Sequence, residues 1–394
     1  MLLVENLSPF LRERALRTWA SLNLFFQREQ TDFLPADRLR FSPTEISIFP
    51  QTKPTNIGLG LLSVLGAEKL QTLDSNEANR RLKLMLESLK NIERFNGFFY
   101  DWYDSKSKKK LDKWPEDGHA LDLLLSSVDN AWLALSLLIV AQAKPDLTEL
   151  IQEEFLSKMN FDFFFDEKTE ETFGGYSVSQ SRHTENHYVR DLLSETRIVH
   201  WVHAALTTNK KQRVEILKRL LSKQGTIPNK LAGGALFELL MPRLFIREKY
   251  LDVALHQIFD EHLGYGNSSL DGMVGISVAD NPNAADRYTE MGVGGMYPSS
   301  SIISDHGVVL AFLARPEIAL KTISTLELIP GFYNEHGYKD AVDIRSGKTT
   351  QTQVFINQAM VFLCLISLED SYFTKLFSKY FTDEEELAFS SPKI

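Results

Sequence analysis

The chain has 394 residues, is 43% hydrophobic and 24% charged, and carries a formal net charge of −9. That is enough apolar material for a large core, and the acidic balance argues against a nucleic-acid binder, which needs clustered Lys and Arg. The single cysteine, Cys364, excludes an intrachain disulfide and sits in an apolar run that reads as core.

The N-terminus, MLLVENLSPF, has no basic segment followed by a long apolar one, so a cytoplasmic location is expected as written, or a periplasmic or secreted one if a leader has been removed. No uninterrupted apolar stretch is long enough for a membrane span. Ser8-Pro9 reads as the start of a first helix, with a capping serine and proline in the first turn. Apolar residues then recur at helical spacing through Leu11, Ala15, Leu16, Trp19 and Leu22. Further helices are predicted over 56–70, 76–94, 128–143, 146–158, 186–206, 209–223, 234–240, 246–263, 302–313, 315–325, 351–367 and 369–380. Only Glu45–Phe49 and Met273–Val278 read as strands. No Pro/Gly/Ser linker divides the chain, so residues 1–394 are expected to form one domain. Helices in this number, joined by long loops, suggest an all-α fold of paired helices in a closed ring or an open solenoid.

The loops carry the chemistry. The segment Phe95 to Asp104, FNGFFYDWYD, packs Phe99, Tyr100, Trp102 and Tyr103 around Asp101 and Asp104. Aromatic faces stack on sugar rings and carboxylates accept from sugar hydroxyls; a hydrophobic turn packed under the core is the alternative. The basic run Ser105–Lys113 that follows reads as a solvated loop. Asp129 stands where it would cap the helix after it. Phe173-Gly174-Gly175-Tyr176 is a tight aromatic turn. Glu195 lies among Leu192, Leu193, Val199 and Val202, a setting that raises a carboxyl pKa as a general acid requires; a salt bridge to Arg197 or Arg190 is the competing reading. Glu238 is in a second apolar run.

Asp280 precedes Asn281-Pro282, and Tyr297 closes the glycine-rich MGVGGMYP. That glycine run lacks the GKS/GKT ending of a phosphate loop. Gly331 to Asp343 again mixes aromatics, glycine and acids, with Tyr338 beside Asp340, the candidate base. Asn357-Gln358 follows in the last long helical stretch. The nine histidines form no metal set. His200 and His203 are a weak metal pair or, more simply, part of a packed helix. Neither HExxH nor GxSxG is present, so no metal or cofactor is expected.

Fragments in fixed order resemble the glucoamylase-like superfamily that contains the bacterial endo-β-1,2-glucanases, glycoside hydrolase family 144, and domains of cyclic β-1,2-glucan synthases. They run from Thr18-Trp19, Phe33-Leu34-Pro35 and Thr55-Asn56-Ile57-Gly58 through Phe99–Asp104 and Leu125–Asp129. They continue with Ser194-Glu195, Phe237–Pro242, Ser277–Pro282, His336–Ala341 and Ile356-Asn357-Gln358. The resemblance implies an (α/α)6 toroid, a six-hairpin barrel whose long loops form a sugar cleft. It implies Glu195 as general acid, Asp340 as base and Asp129 as a substrate-binding residue, for inverting cleavage of a β-glucan. Substrate contacts are expected from Tyr100, Asp101, Trp102, Tyr103, Asp104, Glu238, Asp280, Tyr297, Tyr338, Asn357 and Gln358. Two positions depart from the pattern: Asn357 stands where many relatives have an aspartate, and Val278 where the synthase-type relatives have a glutamate. A transglycosylase, a glycan binder without catalysis and a helical scaffold are the alternatives.

Overall fold

The computed structural model describes residues 2–26, 32–169, 171–185, 193–222, 233–382 and 385. It is mostly helical, with thirteen α-helices among the described residues. These are α1 (Leu2–Phe25), α2 (Pro54–Lys69), α3 (Ser75–Asn91), α4 (Ser127–Ala143), α5 (Thr148–Glu154), α6 (Arg197–Leu206), α7 (Lys210–Ser222), α8 (Leu236–Leu240), α9 (Asp252–Ser269), α10 (Asp305–Leu310), α11 (Pro316–Leu326), α12 (Phe355–Asp370) and α13 (Tyr372–Phe377).

Two kinds of helix alternate along the chain, and their composition explains the difference. The helices α2, α4 and α12 are apolar on nearly every side and buried along almost their whole length. A helix hydrophobic all round has to lie inside. By contrast α3 is amphipathic: Ala78, Leu82, Met85, Leu86 and Leu89 face inward while Glu87 and Lys90 face solvent. Packing follows this division. In sequence, α2 touches α4, α4 touches α6, α8 touches α10, α10 touches α12, and α12 returns to α2. Between α6 and α8 the link is polar: the buried Arg197 guanidinium donates to the carbonyls of Glu238 and Leu239 at 2.9 and 2.6 Å. Outside this series α1 lies on α12, α3 on α2, α5 on α4, α7 on α6 and α11 on α10.

Short strands precede the buried helices. Gln51–Thr52 leads into α2, Leu124–Ser126 into α4, Ile302–Ser304 into α10 and Thr352–Val354 into α12. They pair with strands from the long loops. Thr352–Val354 joins Arg38–Phe41, which also pairs with Ile46–Phe49, and Ile302–Ser304 joins Ala341–Asp343. The sheets therefore gather at the N-terminal ends of the inner helices.

Several boundaries differ from the sequence reading. The first helix begins at Leu2, with Pro9 inside it rather than at its start; the ring costs one backbone hydrogen bond. The cap of α4 is Ser126, whose side chain accepts from the Asp129 N–H at 3.1 Å, so Asp129 is freed from capping. Residues 302–304 and 352–354 are strands, because both segments pair before their helices begin. Met273–Val278 forms no strand: it is a buried irregular segment in which Gly275, at φ +125°, gives its carbonyl to Ser304, and pairing starts only at Ala279. Part of the helix expected over 186–206 falls outside the described residues, as does Arg190; the described helix starts at Arg197. No helix among the described residues is long and apolar enough to cross a membrane.

The α2–α4 contact is close because Gly58 faces Ser136, Leu133 and Trp132; a Cβ there would stand 2.8 Å from Ser136 Oγ and 3.0 Å from Leu133 Cα. Gly58→Val is expected to lower stability by about 1–3 kcal/mol through overpacking. A urea unfolding midpoint equal to that of the parent would show that the two helices can separate without cost.

Candidate functional site

The residues singled out from the sequence converge on the end where the inner helices begin. Lys53 and Thr55 flank the start of α2, Asp129 lies in the first turn of α4, and Glu195 immediately precedes α6. Glu238 is in α8, Asp305 opens α10, and Asn357 and Gln358 are in the first turn of α12.

One side of the site is built on α4. Asp129 and Trp132 are three residues apart, hence on one helix face and a turn from each other. The Trp132 indole N–H donates to Glu195 Oε2 at 2.8 Å. The salt bridge weighed for Glu195 goes elsewhere: Arg197 pairs with Glu248 at 2.9 Å, both fully enclosed, and also holds the carbonyls of Ser194, Glu238 and Leu239. Arg197 thus fixes the backbone before α6 and in α8, and among the described residues the Glu195 carboxyl has no ion pair. Burial, assisted by the negative charge of Asp129 and opposed by the indole hydrogen bond, raises the Glu195 pKa to about 7.

Asp129 behaves in the opposite way. Burial pushes its carboxyl up, but Lys53 at 3.4 Å, the Thr55 hydroxyl donating at 2.6 Å and Ser126 outweigh it, so the group ends below its ordinary range and is ionised. Its neighbour Asp101 is raised to about 7, by burial first and then by Asp129. Glu238 is raised to about 7 by burial, although it accepts from the N–H groups of Gly233 and Gly234 at 3.0–3.1 Å. A Cβ on Gly233 would stand 2.1 Å from the Tyr297 ring, so glycine there lets the Tyr297 ring, Glu238 and the chain pack together.

The other side is a closed acid pair. Asp340 is fully buried; its carboxylate accepts from the Asp280 N–H at 2.7 Å, the Asn357 amide at 2.9 Å and the Val354 N–H at 3.4 Å. Asp280, also fully buried, accepts from the Thr352 hydroxyl at 2.6 Å and faces Arg38 at 3.2 Å. Burial and mutual repulsion raise Asp280 to about 8; burial and Asp305 raise Asp340 to about 7.

Several residues singled out from the sequence lie buried rather than open to the cleft. Asp340 was expected to activate a water, but it has no exposed surface and both of its oxygens are engaged by N–H donors. Tyr103 and Tyr338 are buried too. The Tyr103 hydroxyl donates to the Glu93 carbonyl and accepts from the Tyr100 N–H, and that of Tyr338 donates to Glu327. Phe99 and Tyr100 also belong to the core. Asp104 accepts from the N–H groups of Lys106 and Ser107 and shapes a turn. Gln358 is buried and donates to Asp305 and to the Tyr338 carbonyl. The density of the 95–104 segment therefore divides: its even mixture of aromatics conceals a core part and a cleft part, and Trp102 is the ring on the cleft side. His200 and His203 diverge, the first toward Thr172 and the second toward Asp162.

A cleft of about 180 Å³ opens beside these groups, lined by Asp37, Arg38, Lys53, Trp102, Trp114, Tyr288, Val354 and Ile356. The Trp102 and Trp114 rings meet edge to face at 5.0 Å, and Lys53 lies 5.6 Å over Trp102. Lys53, Trp114 and Tyr288 were not singled out from sequence. Trp114 stands just beyond the basic run, Lys53 reads as a residue before a helix-starting proline, and Tyr288 sits in an unremarked RYTE hairpin strand.

Stability should fall as pH rises from 6.5 to 8.5. Unfolded, the carboxyls of Glu195, Glu238, Asp101, Asp280 and Asp340 lose their protons near pH 4; folded, they keep them to about pH 7–8, so raising pH through that range penalises the folded state. The buried His262 and His306, held neutral, no longer contribute above their unfolded pKa. Denaturation midpoints across this window check the sign, and Asp280→Asn should flatten the slope; a midpoint rising with pH would overturn the assignment.

No family model matches the sequence. A 131-residue stretch, 33% of this chain, is 29% identical to the cyclic β-(1,2)-glucan synthase NdvB of Rhizobium meliloti, and spans 4% of that protein's length. Among solved structures, a glucoamylase-like protein from Bacteroides caccae superposes with a TM-score of 0.76 at 14% identity, covering 97% of this chain and 98% of the other. The endo-β-1,2-glucanase of Chitinophaga pinensis, solved with sophorotriose and glucose, gives 0.74 at 14% identity, covering 98% of both chains. The endo-β-1,2-glucanase of Talaromyces funiculosus, solved with sophorose, gives 0.70 at 13% identity over 96% of this chain and 92% of the other. The chain shares the fold of glucoamylase-like proteins and endo-β-1,2-glucanases, and the resemblance carried by its sequence fragments stands.

Proposed function

We propose that the protein is a glycoside hydrolase acting on a β-linked glucan, with the β-1,2 linkage as first choice, and that its helices close into one (α/α)6 toroid. The return of the inner-helix contacts from α12 to α2 supports the ring. The observation that carries the chemistry is the divergence of two carboxyls: Glu195, held by the Trp132 indole, has its pKa raised to about 7, while Asp129, a turn from Trp132 on α4, is held ionised. Paired carboxyls driven apart by their surroundings supply an acid and a base.

In this reading Glu195 protonates the leaving oxygen, and the Trp132 indole keeps its carboxyl aimed. Asp129, pinned by Thr55 and Lys53, takes a proton from the attacking water. An inverting pair stands roughly 6.5–9.5 Å apart to admit that water. Trp102 and Trp114 provide apolar faces for sugar rings. Asp280 and Asp340 form the support on which the opposite wall is hung, with Asn357 as a donor to Asp340. Asn357 in that position serves an enclosed carboxylate, so it does not by itself argue for a protein that binds glycan without cutting it.

Reducing-sugar release from linear β-1,2-, β-1,3-, β-1,4- and α-1,4-glucans, followed by anomer-resolved NMR, tests the proposal. Release from the β-1,2 substrate with inverted anomer is expected; absence of release from every glucan would sink it. Glu195→Gln should cut kcat by about 10²–10⁴-fold with unchanged circular dichroism. Parent activity should fall as pH rises past about 7, where Glu195 loses its proton.

A further inference from the structure

The strands Ala279–Asn281 and Arg287–Thr289 form a hairpin in which Asp280 pairs directly with Tyr288. Directly opposed residues project to the same face of an antiparallel pair. Their burial nevertheless differs: Asp280 is 0% exposed and Tyr288 49% exposed. The carboxyl turns down into the support while the phenol lies across the cleft.

Four charged or acidic groups act electrostatically on that phenol: Lys53 from the start of α2, Glu195 from the segment before α6, Asp280 from the hairpin, and Asp340 from the loop after α11. Tyr288 lines the cleft together with Lys53, and its strand partner Asp280 belongs to the buried acid pair. Its neighbours in the cleft lining, Trp102, Trp114, Val354 and Ile356, offer rings and aliphatic surface. Among the described residues no hydrogen bond occupies the Tyr288 hydroxyl. A phenol is protonated at neutral pH in any setting, and burial and the surrounding acids push its pKa further up against the pull of Lys53. A protonated, unengaged hydroxyl at this point is a donor available to a ligand.

We infer that Tyr288 touches the bound sugar next to the scissile bond and donates its hydroxyl hydrogen bond to a sugar oxygen as the bond breaks. The inference rests on the hydrolase reading above. The phenol neither gains nor loses a proton; it complements the proton delivered by Glu195 by fixing the sugar between the two walls. Such a contact is made best when the sugar is distorted toward the transition state, so removing it should be felt more in kcat than in KM.

The test is Tyr288→Phe in the full chain, which keeps the ring and deletes only the hydroxyl. A fall of about tenfold in kcat on linear β-1,2-glucan is expected, the loss of one hydrogen bond, with KM within about twofold and an unchanged melting midpoint. Tyr288→Ala, which also deletes the ring, should raise KM as well. Equal kcat for Tyr288→Phe and parent, with Glu195→Gln inactive, would overturn the role of Tyr288 and leave the hydrolase reading in place. A rise in KM alone would overturn it too, reducing Tyr288 to a binding ring. A parent that neither cleaves the glucans nor binds sophorose by calorimetry would remove the reading and this inference together.

Discussion

An α-helix leaves its first backbone N–H groups without partners and carries a partial positive charge at that end. In this protein the inner helices bring those ends together, and the rest of the site depends on that constraint. The starts of α2, α4, α10 and α12 are tied down by short strands, and Ser126 and Ser304 cap α4 and α10. The short strands bring the long loops with them. Carboxyls collected there meet helix N-termini and, in a cleft partly closed to water, are driven to different protonation states by small differences in their partners.

Those differences are local and nameable. Asp129 has a cation and a hydroxyl within reach; Glu195 has one indole N–H; Asp340 has amide donors and an acid neighbour. Arg197 acts on Glu195 only through space. Committed to Glu248 and to backbone carbonyls, it stiffens the α6–α8 junction without neutralising Glu195. Removing one member of a buried ion pair leaves the other uncompensated, so this junction is intolerant of change at Arg197 or Glu248.

The closed pair on the opposite wall divides labour with the open side. The Asp280 backbone N–H donates to the Asp340 carboxylate, and the pair is sealed by Thr352 at Asp280 and by Val354 and Asn357 at Asp340, from the strand and helix that follow. They anchor the hairpin that carries Tyr288 and the segment that leads into α12. Conformation, more than proton transfer, is what their burial serves. The wall they support presents Val354, Ile356 and the Tyr288 phenol to the cleft, opposite the two tryptophans.

Much of this was legible in the amino-acid sequence, and the part that was not has a physical reason. Helical period and all-round apolarity determined which segments are helices and that α2, α4 and α12 are interior, because a chain cannot leave such surfaces in water. Fragment order singled out Asp129, Glu195, Glu238, Asp280 and Asp340, which the structure places at or near the N-terminal ends of the inner helices. Sequence could not separate enclosed residues from open ones: Tyr103 and Trp102 are adjacent and similar, yet one hydroxyl is spent on Glu93 and the other ring lines the cleft. Nor could it pair charges across long separations, so Arg197 looked available to Glu195 and Lys53 was not singled out. Which carboxyl is ionised, which protonated and which sealed is set by desolvation and by partners tens to hundreds of residues away, and only the tertiary structure decides those.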